Sequence, residues 1–565
     1  MAAVATPALD PVAVGAGIYE RGELPSKAPL RGVYGGGTQV TGAAAACTAC
    51  HRPSGLGGVE GAVGIPPITG LALFGGGDPV VVRMDRRLAP ALSVPHTPFS
   101  AEDFARAVRE GKGPGGRAMN SLMPRYDLGD AELSALAAYV GTLSAEIAPG
   151  VTHDSIRVAT VIAPGIAPER RKAFLDTLTT LIGQININVH SGLRQKVPVV
   201  ERTLGSRRRL VLDTWELTGP ASGWSDQLAR RQREAPVFAL LSGLAGDEWQ
   251  PVQDFCERAH VGCWFPSVDS LPSDAARGHY SLYFSGGVAT EAEVISKRLG
   301  GHAGRVLQLV SADHAADAGA TALVAAIGRG RTVTRLGVAD RAAACGAISG
   351  LGAADVLVLW LRPADLAALS SCGSGAAAVF VSATLGGDEQ LALPAGLRRD
   401  AMLVQPQEAP SLRSANLTRF DAWLAAVKIP AVDRRVQSEA YFATRFFVAT
   451  TRGMLNNLYT PYLIERGETT LASFEAVQVQ EEVESLMMGP MNKRPLGQVT
   501  EAAEDPIHAT AMKAHLNEMR ARGGTTVYPR LSLAAGQRIA SKGAYLERLN
   551  PDAPGTLGEP EWVVP

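Results

Sequence analysis

No stretch of about 18 uninterrupted apolar residues occurs in this 565-residue chain. The most apolar interior text, VLVLWLRPADLAAL, is broken by Arg362, Pro363 and Asp365, so no helical membrane span is expected. A charge excess is missing too. The 54 Lys and Arg set against 55 Asp and Glu leave a formal net charge of -1, which removes the electrostatic case for nucleic acid or an anionic membrane surface. No repeating period is visible, nor is a G-x-x-x-x-G-K-[ST] loop, an H-E-x-x-H pair, a nucleophile elbow or a G-x-G-x-x-G turn following a strand, so no enzyme class has a motif behind it. The first twenty residues carry no basic residue before Arg21 and are interrupted by Pro7 and Asp10, which does not read as an export signal.

What is present is an ordinary globular composition, 46% hydrophobic and 19% charged, over a length that calls for two to four domains. Cysteine is scarce, with 6 in the chain, yet two stand three positions apart in Cys47-Thr48-Ala49-Cys50-His51. This spacing fits c-type haem attachment, in which two thiols add to the haem vinyl groups and the adjacent imidazole ligates iron. Random placement of 6 Cys and 10 His gives the pattern about 0.001 times per chain. A zinc site needs further Cys or His at ligand spacing, and neither a second CxxC nor a neighbouring histidine supplies them. A redox pair belongs between a strand and a helix, whereas an Ala/Gly-rich approach precedes this one. Covalent haem attachment in bacteria takes place outside the cytoplasm, so a periplasmic protein is expected whose leader has been removed or whose true start lies upstream.

The other iron face needs a ligand. Met123 is followed by Pro124 and then by an amphipathic helix expected from Asp130 to Leu143, with Leu133, Leu136, Ala137, Val140 and Leu143 on one face. Asp130 is its N-cap or a first-turn acid. Residues of about 30 to 145 resemble the class I monohaem c-type cytochromes: CxxCH near an early helix, a glycine-rich loop with prolines, a Met-Pro element and a closing helix carrying Tyr139. The resemblance implies one covalent haem c with His51 as proximal and Met123 as distal iron ligand. Met119, four residues earlier, and His96 compete for the distal position. It also implies a proline carbonyl, from Pro66 or Pro67, on the second N–H of the ligand imidazole. Arg125 and Tyr126 are candidates to meet a propionate.

After a linker over 147–154 the text changes to short apolar runs: Ile156 to Ile162, then 236–243, 262–267, 305–312, 332–338, 355–361 and 377–383. Helical text lies between them, at Ala167 to Ile185, Asp247 to Ala259 and Ala289 to Leu299. Such alternation predicts parallel sheet covered on both faces, and about 410 residues predict two lobes. The fold class expected is therefore multidomain, a small all-α domain followed by a two-lobed α/β domain. Opening with IRVATVIAP and continuing through PVFALLSGLAGDEWQPVQDFCERAHVGCWFPSVDSLP and YSLYFSGGVATEAEVISKRL, residues 155–565 resemble the type I periplasmic binding proteins that bring solutes to ABC transporters. The boundaries expected are an N-terminal extension at 1–29, the cytochrome c domain at 30–146 and the two-lobed domain at 155–565. A ligand such as an amino acid, amide or organic acid belongs at the carboxyl ends of the strands, where Ser242 and Gly243, and Ser285, Gly286 and Gly287, are candidates. A long aromatic helix is expected over 441–467, a methionine cluster at Met487, Met488 and Met491 reads as core filling, and two strands around AAGQ suggest a hairpin on the second lobe. Cys256 and Cys263 are candidates to pair; the alternative leaves them, with Cys345 and Cys372, as buried thiols.

The function expected is single-electron transfer to and from a redox partner protein, with no catalytic residues. Solute binding that modulates the cytochrome is the alternative. A haem enzyme or gas sensor would need an open iron position.

Overall fold

The fold is seen in a computed structural model that describes residues 10–60, 63–75, 97–192, 208–474, 525–550 and 557–565, apart from 388–392, 414–416 and scattered shorter gaps within 208–474. His96, Met487, Met488 and Met491 lie outside the described residues. The described chain divides into two units, one of 10–151 with 451–466 and one of 152–192, 208–450, 467–474 and 525–565.

The first unit is mainly helical. Its helix Asp130–Thr142 buries Leu133, Leu136 and Val140, the face expected from the 3.6-residue period. Glu132 reaches back to accept from the Gly129 amide at 2.8 Å, so Gly129 takes the N-cap position and Asp130 is a first-turn acid, paired with Arg109 at 2.7 Å. The helix Pro11–Ala16 crosses it closely. A β-carbon on Gly15 would stand 2.1 Å from the Ala135 carbonyl oxygen, so only glycine permits this approach. Ile18 and Tyr19 join the same core with no exposed surface. Residues 10–29, expected as an extension, are thus part of the helical unit, because their apolar side chains fill its core. Short strands complete it: β1 Arg31–Val33, β2 Gln39–Thr41, β3 Gly58–Glu60, β4 Val63–Ile65 and β5 Arg125–Tyr126, with β1 between β2 and β5 and β3 paired to β4, all antiparallel.

The second unit holds two sheets. β6 Ser155–Ile162, β7 Arg209–Glu216, β8 Ala239–Leu241, β9 Gly262–Trp264 and β10 Ser281–Leu282 form the first, in the order β10-β9-β8-β6-β7 and parallel throughout. One face packs Ile162 against Phe174, Leu178, Val436 and Ala440 of the helices Pro168–Gly192 and Arg434–Gly453. On the other, Ala159 and Val161 meet Leu228 and Phe255 of the helices Trp224–Glu234 and Gln250–Ala259. The second sheet has the order β12-β11-β13-β14-β15-β16-β17, from β11 Val306–Val310, β12 Val333–Gly337, β13 Val356–Trp360, β14 Ala378–Ser382, β15 Ala401–Gln405, β16 Ala544–Arg548 and β17 Glu561–Val563. Its first five strands are parallel and the last two antiparallel. Strand alternation is visible in the two cores: Val306, Val310, Val358 and Phe380 pack on one face, Leu307, Leu309, Leu357 and Val381 on the other. This is a two-lobed α/β body, as the alternating text predicts.

Three expectations change here. The aromatic helix runs over Arg434–Gly453, starting where the Asp433 carboxylate accepts from the Val436 amide at 3.0 Å, and a separate helix covers 460–474. No strand pair flanks AAGQ. Gly536 turns the chain there, and Arg538 to Ser541 run beside Tyr283 and Phe284, past the end of β10 in the first lobe; the terminal antiparallel pair is β16 and β17. The four cysteines outside CxxCH form two disulfides, Cys256–Cys263 and Cys345–Cys372.

Candidate functional site

The residues Cys47 to His51 make one helical turn, Thr48–His51, in which the Cys47 carbonyl accepts from the amides of Cys50 at 3.2 Å and His51 at 2.9 Å. A three-residue offset on a helix puts both thiols on one side. Arg52, at φ 65°, ends the turn, and its carbonyl accepts from the buried Tyr19 hydroxyl at 2.8 Å. Cys47 packs against the helical core, and burial pushes its thiol up to about 12. Neither Cys47 nor Cys50 is in a disulfide, whereas the other four cysteines all are.

The His51 Nδ1 donates to the Pro66 carbonyl at 3.0 Å. Burial pushes its imidazole down to about 4, against the opposing pull of that carbonyl, so the ring is neutral and Nε2 carries the lone pair that a metal takes. Of the two prolines considered, Pro66 makes this bond. Gly57 (φ 69°) lets the loop press on it: a β-carbon there would stand 2.1 Å from the Ile65 carbonyl oxygen and 2.8 Å from that of Pro66. The donor set of two thiols and an oriented neutral imidazole fits a c-type haem.

Met123 sits in a turn where its amide donates to the Asn120 carbonyl at 3.0 Å. Pro124 leads directly into β5, whose pairing sets Tyr126 opposite Gly32 and Arg125 opposite Val33. The Tyr126 hydroxyl donates to the Ala45 carbonyl at 3.0 Å, tying the Met-Pro segment to the approach to Cys47. Arg125 bonds the Met123 carbonyl. Both methionines are half-buried, and Met119 packs against the same core as Cys47.

Sequence reading missed Glu465. The Ser54 amide and hydroxyl, both buried, donate to its two carboxylate oxygens, each at 2.7 Å. Ser54 follows His51 by three residues. With the partners 411 positions apart, no local pattern announces the pair.

In the two-lobed body several polar groups gather near the strand ends. Ser242, at φ 54°, follows β8, and its buried hydroxyl has no hydrogen-bond partner among the described residues. Gly243 brings the backbone against Trp249, and Gly287 packs on the Asp269 carbonyl. Asp269, after β9, is 3% exposed and sits between two arginines: Arg362, at the end of β13, at 3.0 Å and Arg435 at 2.7 Å. Arg362 also reaches Asp313, after β11, at 3.1 Å. Glu439, buried, accepts from the Tyr528 hydroxyl at 2.8 Å and from Ser267, and desolvation pushes its carboxyl up.

Residues 37–144 match the family model for cytochrome c. No curated protein gives a match. Among solved structures, the chain is similar to the branched-chain amino acid transporter substrate-binding protein LivJ from Streptococcus pneumoniae in complex with isoleucine, at 12% identity over 73% of this chain and 100% of that one, TM-score 0.46. An extracellular ligand-binding receptor from Verminephrobacter eiseniae is similar at 14% identity over 72% and 100%, TM-score 0.45. The leucine-binding protein LivK from Thermotoga maritima is similar at 11% identity over 72% and 98%, TM-score 0.41.

Proposed function

We propose that this chain is a periplasmic c-type cytochrome that passes single electrons to and from a redox partner protein. In this reading Cys47 and Cys50 hold one haem c by thioether bonds, and His51 and Met123 ligate its iron. The observation that carries it is the Cys47–His51 turn with its imidazole held by the Pro66 carbonyl. Bound there, haem c supplies a one-electron couple. The chain's own residues do the rest. Pro66 keeps the His51 proton on Nδ1, Gly57 lets the loop close on that carbonyl, and Tyr126 anchors the Met-Pro segment to Ala45. With both ligands drawn from the chain, a substrate has no iron position to take, so the protein is read as a carrier with no catalytic residues. Two disulfides in the large body support an oxidising compartment, and no described helix is long and apolar enough to cross a membrane.

The test is the mass of the full chain isolated from cells with haem-maturation machinery. One covalent haem is expected, absent from the Cys47→Ser/Cys50→Ser variant. An unmodified chain from such cells overturns the reading, and rapid carbon monoxide binding by the ferrous protein overturns the closed His/Met ligation.

A second reading draws on the strand ends and on the Ser242 hydroxyl, which has no partner among the described residues: the two-lobed body captures a small solute, and lobe movement alters the cytochrome's exchange with its partner. A thermal-shift screen of amino acids, amides and organic acids on the full chain tests it, since a ligand of the native state raises its melting point.

A further inference from the structure

The segment Thr525 to Tyr528 is buried along its length. The Val527 carbonyl accepts from the Glu408 amide, beyond β15 in the second lobe, at 2.5 Å. The Tyr528 side chain enters the first lobe. Its ring stacks on Phe284 with centroids 5.3 Å apart and planes 9° from parallel. Its hydroxyl donates to Glu439 at 2.8 Å. Glu439 is 1% exposed and takes Ser267 on its other oxygen. Phe265 and Phe442 close the apolar side against Phe284.

Ser267 and Ser285 follow β9 and β10, where an α/β sheet takes a ligand. An aromatic face and a buried carboxylate steadied by the Ser267 hydroxyl recognise a ring bearing a hydroxyl, and a residue of the chain itself meets that description here.

We propose that Tyr528 is an internal ligand of the site at the strand ends of the first lobe, and that the site accepts a small para-substituted phenol when Tyr528 is absent or displaced. This rests on the second reading above, that the strand ends form a binding site, and names its ligand class. A tethered phenol competes at high effective concentration, so a free one binds the native chain weakly. Segment 525–528 also touches both lobes, through Glu408 and through Glu439, so displacing Tyr528 frees one tie between them.

The test uses the haem-loaded full chain and Tyr528→Ala, titrated calorimetrically with p-cresol and with toluene. The variant is expected to bind p-cresol at least tenfold more tightly than the native chain does, and at least tenfold more tightly than it binds toluene. Tyr528→Ala/Glu439→Gln is expected to lose most of that preference. Equal affinity in native and variant chains, or no preference over toluene, overturns the proposal. If Tyr528→Ala alone does not fold, p-cresol and not toluene is expected to restore its fold, and failure of p-cresol to do so overturns the proposal equally. Binding of an amino acid, amide or organic acid without p-cresol would sink the phenol assignment and keep the solute-site reading. A folded variant that takes none of them sinks both.

Discussion

Ser54 presents both its backbone amide and its hydroxyl to the Glu465 carboxylate, each at 2.7 Å, in a buried setting. The pair closes the loop that follows the candidate iron ligand His51, and it joins two parts of the first unit that are far apart in sequence.

Glu465→Ala leaves two buried donors without an acceptor. Hydrogen bonds to a charged group are worth about 1.5–3 kcal/mol, and an orphaned buried donor costs a similar amount, so a loss of about 2–4 kcal/mol is expected. Denaturant unfolding followed by haem absorbance measures it. Glu465→Asp, too short to reach both donors in place, should fall between.

Met119 and Met123 are separated by substitution. Met123→Ala is expected to lose the near-infrared sulfur-to-iron charge-transfer band of the ferric protein and to gain carbon monoxide binding in the ferrous form. Met119→Ala is expected to keep the band and to lose stability by about 1–2 kcal/mol, the cost of truncating a half-buried side chain packed on the core. The reverse pattern would transfer the ligand role to Met119.

Glu291 gives the large body a pH dependence of defined sign. It is buried and accepts from Ser382 and from the Thr384 amide and hydroxyl; burial raises it from 4.5 to about 7. The native state therefore holds this proton more tightly than the unfolded chain does. The contribution is fully present below about pH 4.5 and is lost as pH rises through about 7, by up to about 3 kcal/mol. Subtracting the Glu291→Gln stability profile from the native one isolates it; a difference that is flat between pH 4.5 and 7 would refute the assignment.

The Cys345–Cys372 disulfide spans 27 residues. Closing a loop of that length stabilises by about 3–4 kcal/mol in the chain-entropy account. Cys345→Ser/Cys372→Ser is expected to lose roughly that amount in the unfolding of the large body, followed by tryptophan fluorescence, while the haem spectrum stays as in the native protein.

Much of this architecture was legible in the residues. The period of Leu133, Leu136 and Val140 gave the helix Asp130–Thr142 to within a residue, and each apolar run from Ile156 to Ser382 contains a strand. β7 is hidden in the sequence because Asp213 and Glu216 interrupt its apolar text, as an edge strand with only two of its eight residues fully buried allows. Cys345–Cys372 was not foreseen, since a pairing depends on where two helices and loops bring the Cα atoms, here 5.2 Å apart. For the candidate haem site, CxxCH and Met-Pro are local signals and could be read directly. Glu465 could not, because only folding brings it to Ser54. Tyr528 is invisible for the same reason: its text reads as part of a hairpin, and the contacts that matter come from Phe284 and Glu439.

Because 451–466 belongs with 10–151 while the residues on both sides of it belong to the α/β body, the two units are interleaved along the polypeptide and are not beads on a string. The familiar strategy of expressing each half by cutting at one linker fails for such a chain: a fragment ending near residue 150 would strip the Leu458 carbonyl from the Ala148 amide and Glu465 from Ser54. A faithful small fragment has to carry 451–466 on a grafted connector, and ribosomal synthesis itself cannot complete the first unit until residue 466 has been made.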